Sequence, residues 1–122
     1  MIKPETIRKG SKVFLSDTLK EPVTVLDNIN GEILLQAKKV MKVTLSELFP
    51  VPLTPDQIVR CGFFKTDDYI YEHPAEKIEL EIDPDGVINM NVHEQKITIS
   101  MQAVHELQHA FWTYTAKELD YR

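Results

Sequence analysis

Over most of this chain apolar residues recur at every second position, and only at its end do they recur at helical spacing. That contrast limits the fold more than any other feature. A period of two belongs to strands with one buried face, and a period near 3.6 belongs to a helix with an apolar stripe. Ser11 to Leu15 and Pro22 to Leu26 are short runs rich in β-branched residues. Asn30-Gly31 is a hairpin signal, because both residue types tolerate positive φ. Glu32 to Leu35 is the return strand, and Val40 to Leu45 alternates again. Several short strands in so little chain predict a small curled β-sheet or an SH3-like barrel.

Prolines 50, 52 and 55 punctuate the middle. Thr54-Pro55-Asp56-Gln57 predicts a helix start: Thr54 can cap, Pro55 suits the first turn, and Gln57 completes a capping box. Gly62 supplies the stop, so the helix covers about 55 to 61. Strands return around Phe63–Lys65 and Tyr69–Tyr71, with a turn at Asp67-Asp68. Lys77 to Ile82 and Val87 to Val92 alternate on either side of the Asp83-Pro84-Asp85-Gly86 turn. His93-Glu94-Gln95 leads into Ile97-Thr98-Ile99, which completes an antiparallel meander. Ser100 then reads as the N-cap of a final helix. Its stripe is Met101, Val104, Leu107, Phe111 and Tyr114. The whole is an α+β fold: an N-terminal curled sheet or SH3-like barrel, a short middle helix, and a meander packed by a C-terminal amphipathic helix. With 122 residues it reads as one compact domain, 1–122. Subdivision into a β-rich 1–50 and an α+β 51–122 is the alternative.

The formal net charge of -5 argues against nucleic acid, whose binders present basic surfaces. Lys38, Lys39 and Lys42 form a small basic cluster, which reads as a solvated strand edge. A barrel that binds nucleic acid is therefore the weakest functional class here. The one cysteine, Cys61, cannot form an internal disulfide and reads as a buried thiol. No stretch approaches the ~18 apolar residues of a membrane span, and no secretory leader is visible at the N-terminus. A cytoplasmic location is the expectation.

The final helix carries His105-Glu106-Leu107-Gln108-His109, which matches H-E-x-x-H. On a helix the two histidines face one way and can bind zinc, while the glutamate can deprotonate a zinc-bound water. Three features oppose that reading. A catalytic zinc needs a third protein ligand, and Glu118 lies about two and a half turns further along the same helix. His93 is the best remaining guess for that ligand, with no spacing rule behind it. On a helical wheel both histidines fall opposite the Leu107–Phe111 stripe, which predicts a solvated face. The motif also sits at the end of a short chain, with little left to build a substrate cleft.

Two segments resemble those of a known family. Pro52-Leu53-Thr54-Pro55-Asp56-Gln57-Ile58 with Cys61-Gly62-Phe63 resembles P-L-T-e-e-x-L-x-x-x-G-F. Val104-His105-Glu106-Leu107-Gln108-His109, with Phe111, Thr113, Thr115, Glu118 and Leu119, resembles V-H-x-L-Q-N-x-x-x-x-L-T-G-x-E-L. Ile7, Gly10 and Val13 match the I-x-x-G-x-x-V start found with them. The three occur together in a family of small uncharacterised bacterial and prophage proteins. There, position 106 is commonly glutamine and 109 asparagine, which implies that HELQH is an accidental spelling. Ala116 departs from the pattern, which has glycine there. The family supplies no catalytic residues.

Two functions remain. The favoured one is a non-enzymatic binding or interaction module of prophage type, acting on a protein or small-molecule partner. Trp112, Tyr114 and Tyr121 would form its contact patch, since aromatic residues anchor interfaces. Their plainer reading is packing against strands. The alternative is a zinc-dependent hydrolase, with His105, His109 and His93 as ligands and Glu106 as general base. No motif encodes the oligomeric state.

Overall fold

The computed structural model describes residues 2–15, 21–29, 31–37, 39–92 and 97–122. Two compact units emerge, each drawing on distant parts of the chain. One comprises Met1–Val51 and Ala103–His109, the other Pro52–Gln102 and Ala110–Arg122.

The first unit is built from β1 (Lys12–Phe14), β2 (Val23–Ile29), β3 (Glu32–Gln36), β4 (Val40–Thr44) and β5 (Phe49–Pro50). They form one antiparallel sheet in the order β4-β3-β2-β1-β5. A bulge between Val25 and Asp27 bends β2 and helps to curl the sheet. The outer edges of β4 and β5 have no strand partner among the described residues. The unit is thus a curled, open sheet. Alternation delivers Val13, Val25, Ile33, Leu35 and Val43 to one buried cluster with Ile2, Ile7 and Leu48. Gly31 takes φ 87° in the β2–β3 hairpin, as the turn requires; Asn30 lies outside the described residues.

The second unit holds α1 (Pro55–Arg60) and a meander of β6 (Phe64–Asp67), β7 (Ile70–Glu72), β8 (Ile78–Ile82), β9 (Ile88–Val92) and β10 (Ile97–Met101). All four pairings are antiparallel between sequential neighbours. Thr54 caps α1, its hydroxyl accepting from the Gln57 N–H at 3.3 Å. The capping box is only half made, because the Thr54 N–H donates to the Pro52 carbonyl and Gln57 Oε1 accepts from Tyr121. Asp83 shapes the β8–β9 turn, its Oδ1 accepting from the N–H groups of Asp85 and Val87, both at 2.9 Å. The β6–β7 turn falls one residue later than the sequence suggests, at Asp68-Tyr69, since Asp67 pairs with Ile70.

The final helix, α2 (Val104–Thr115), corrects two expectations. Ser100 is not its N-cap. Alternation continues through Met101, so Ser100 pairs with Asn89 in β10 and its hydroxyl donates to Asn89 Oδ1 at 2.7 Å. The helix starts at Val104, whose N–H donates to the Val51 carbonyl at 2.9 Å. A backbone acceptor thus takes the place of a side-chain cap. The HELQH face is also not solvated, as described below. The second half of α2 packs on the meander unit, where the Phe111 ring lies 4.9 Å from that of His73 beside β7. No described helix is long and apolar enough to cross a membrane.

Candidate functional site: an open core layer in the N-terminal sheet

Four strands of the first unit, β1 to β4, each place one residue in the buried core, and a second residue two positions along the chain lies beyond it. Val13 is followed by Leu15, Val25 is preceded by Val23, Leu35 is followed by Ala37 and Val43 is preceded by Met41. The first member of each pair is buried and the second half-buried. Those four outer residues line a cleft of about 520 Å³ together with Glu21, Pro22, Gln36 and Lys39. Among the described residues, the cleft is therefore a layer of core left uncovered at the mouth of the curled sheet. Such mouths are common ligand sites in small β-folds. Its described lining is mostly aliphatic, with Glu21 and Lys39 as its charged members. Glu21 is already engaged within the chain. The Lys39 ammonium has no partner among the described residues.

The sequence-predicted residues lie elsewhere. His105 is only 3% exposed, which overturns the solvated face drawn from the helical wheel. Burial holds its imidazole below the usual histidine range; Glu106 opposes that shift and His109 adds to it. Its Nδ1 is buried without a hydrogen-bond partner. A neutral, enclosed imidazole is a core side chain. His109 is half-buried. His93 lies outside the described residues. Among the described residues, no group of three or more His, Cys, Asp or Glu side chains is gathered to hold a metal.

Sequence reasoning missed Gln108. It is 4% exposed, and its carboxamide spans two backbone groups. Oε1 accepts from the Lys12 N–H at 2.8 Å, and Nε2 donates to the Gly10 carbonyl at 2.9 Å. The side chain thus acts as one rung of sheet at the start of β1. The available signal was a glutamine beside Leu107 in a helix expected to bury that side. The aromatic patch is dispersed in role. Trp112 is 43% exposed and Tyr114 half-buried. Tyr121 packs on α1, its hydroxyl donating to Gln57 Oε1 at 2.6 Å and its ring lying 4.7 Å from the Arg60 guanidinium carbon. Cys61 is buried at the end of α1, and burial pushes its thiol up to about 12, with Arg60 pulling the other way. It stays protonated at neutral pH and is no nucleophile.

No protein-family model, curated protein or solved structure matches this chain.

Proposed function

We propose that the protein is a non-enzymatic binding module, acting in the cytoplasm as an accessory protein of the prophage type its motifs resemble. The observation that carries this reading is the aliphatic cleft that Leu15, Val23, Ala37 and Met41 line among the described residues. Covering half-buried aliphatic side chains releases about 25 cal/mol per Å² of apolar area, so an apolar group seated there gains affinity without any catalytic group. The zinc hydrolase reading loses support from the burial of His105 and from the lack of a third ligand among the described residues.

The test is a pull-down from the natural host with wild-type protein, Met41→Asp and Trp112→Ala, each first checked for an unchanged circular-dichroism spectrum. Partners held by wild type should be lost with Met41→Asp and kept with Trp112→Ala. The reverse pattern would move the binding surface to the C-terminal aromatic residues and sink the cleft.

A further inference from the structure

The β7–β8 connection is closed by a histidine in a role that asparagine, aspartate or serine usually fills. His73 follows β7, and its N–H donates to the Ile78 carbonyl at 3.1 Å, which extends the ladder to the start of the turn. Its side chain then folds back over the turn. Nδ1 accepts from the N–H groups of Ala75 and Glu76, both at 3.1 Å. Short polar side chains cap turns by this geometry and remain acceptors near neutral pH. An imidazole accepts at Nδ1 only while its one proton sits on Nε2. Two uncharged rings pack on it. Phe63 meets it edge-on with centroids 5.3 Å apart, and Phe111 of α2 lies 4.9 Å away. Among the described residues, the charged groups around it are Glu72, Glu76 and Lys77, which line a cleft of about 260 Å³ with it, and Lys117. The Lys117 ammonium, from the segment after α2, holds the Glu76 carboxylate at 2.7 Å. Glu76 is thus tied to His73 through its backbone and to Lys117 through its side chain.

From this arrangement we propose that His73 is a proton-operated latch: a proton taken up from solvent at Nδ1 opens the 73–76 turn and draws the Glu76 carboxylate from Lys117 to the imidazolium, releasing the segment that follows α2. The imidazolium carries N–H donors at both nitrogens and no acceptor. The Ala75 and Glu76 N–H groups therefore lose their partner and face a third donor. The ring's new charge then competes with the ammonium for the one carboxylate between them. Burial is the main force against charging the ring; Glu76 favours the charge and Lys117 opposes it. The latch is accordingly closed at neutral pH and opens on the acid side of the usual histidine range. It works independently of the cleft in the N-terminal sheet.

An NMR titration of the isotope-labelled full chain from about pH 7.5 to about pH 5 tests this. The His73 ring signals should titrate below about pH 6.5, and the Ala75, Glu76 and Lys117 amides should shift with the same midpoint. His73→Asn offers a side-chain oxygen to the same two N–H groups but does not titrate, so those amide shifts should vanish. Glu76→Gln should move the His73 midpoint down by about 0.2–0.7 pH unit, and Lys117→Met should move it up by a similar or smaller amount, as for an exposed pair. Both replacements lie at the surface and keep the decision open should His73→Asn fail to fold. A ring that titrates while the Ala75 and Glu76 amides stay in place would overturn the latch. Amide shifts that persist in His73→Asn would assign them to another group and overturn it as well. A midpoint that neither Glu76→Gln nor Lys117→Met moves would remove the exchange of Glu76 between Lys117 and His73, and the release of the segment with it.

Discussion

Replacing Ala116 with glycine should stabilise the protein. Ala116 follows the last residue of α2 with φ 57°, the one non-glycine residue with positive φ among those described. Its N–H donates to the Trp112 carbonyl at 2.8 Å, and the Thr115 hydroxyl donates to the Phe111 carbonyl at 2.7 Å. These bonds hold the end of the helix in a left-handed residue, the usual place for glycine. An L-residue in that region costs about 1–2 kcal/mol. The greater freedom of glycine in the unfolded chain offsets about 0.4–1 kcal/mol of that. Ala116→Gly should therefore gain about 0.5–1 kcal/mol, which in a domain of this size raises Tm by about 2–5 °C. Ala116→Val should lose about 1 kcal/mol or more, because a β-branched side chain is worse still at positive φ. Urea and thermal unfolding of the three proteins would read the series. A glycine variant that is less stable than wild type would show that α2 does not end in this conformation.

Other consequences follow from buried polar groups. Gln108→Leu keeps the bulk but strands the Gly10 carbonyl and the Lys12 N–H, so it should cost about 2–4 kcal/mol in urea unfolding; a change under 0.5 kcal/mol would mean the amide bridge is dispensable. Burial lowers the pKa of His105 in the folded state, and that of His73 shifts the same way, again chiefly through burial. The unfolded chain therefore takes up protons first. Stability is fully present above about pH 6.5 and declines as pH falls toward the folded-state values, with a slope of at most about 1.4 kcal/mol per pH unit from buried His105 and a smaller one from the more exposed, solvent-screened His73. His105→Leu should flatten that decline, and an unchanged slope would remove His105 as a cause. Protein purified without a histidine tag should carry less than about a tenth of an equivalent of zinc by elemental analysis; a full equivalent that disappears in His105→Ala would reinstate the HELQH site.

The strands were legible because alternation and turn chemistry agree at Gly31, at Asp83–Gly86 and along β8 and β9. The start of α2 was not. Met101 satisfies both a period of two with Ile97 and Ile99 and a period of three with Val104, and only pairing with Ile88 decides between them. Nor was the burial of His105 and Gln108 legible. A wheel scored by apolar letters assigns polar residues to solvent, whereas Gln108 is buried by satisfying backbone groups nearly a hundred residues away. The cleft was hidden for another reason. Its lining comes from four strands whose relative stagger no single run reveals, although Leu15, Val23 and Met41 each belong to a recognised strand.

The Gln108 bridge also sets an order of assembly. The hydrogen bonds of Gln108 to Gly10 and Lys12, and that of Val104 to Val51, tie the N-terminal sheet to residues made much later. During synthesis the first fifty residues leave the ribosome long before residues 103–109 follow. Until then the start of β1 lacks its final rung. Completion of the first unit is therefore a late event, and pairings with such large sequence separation are slow to form. The cleft-bearing sheet becomes whole only after residues 103–109 have been made.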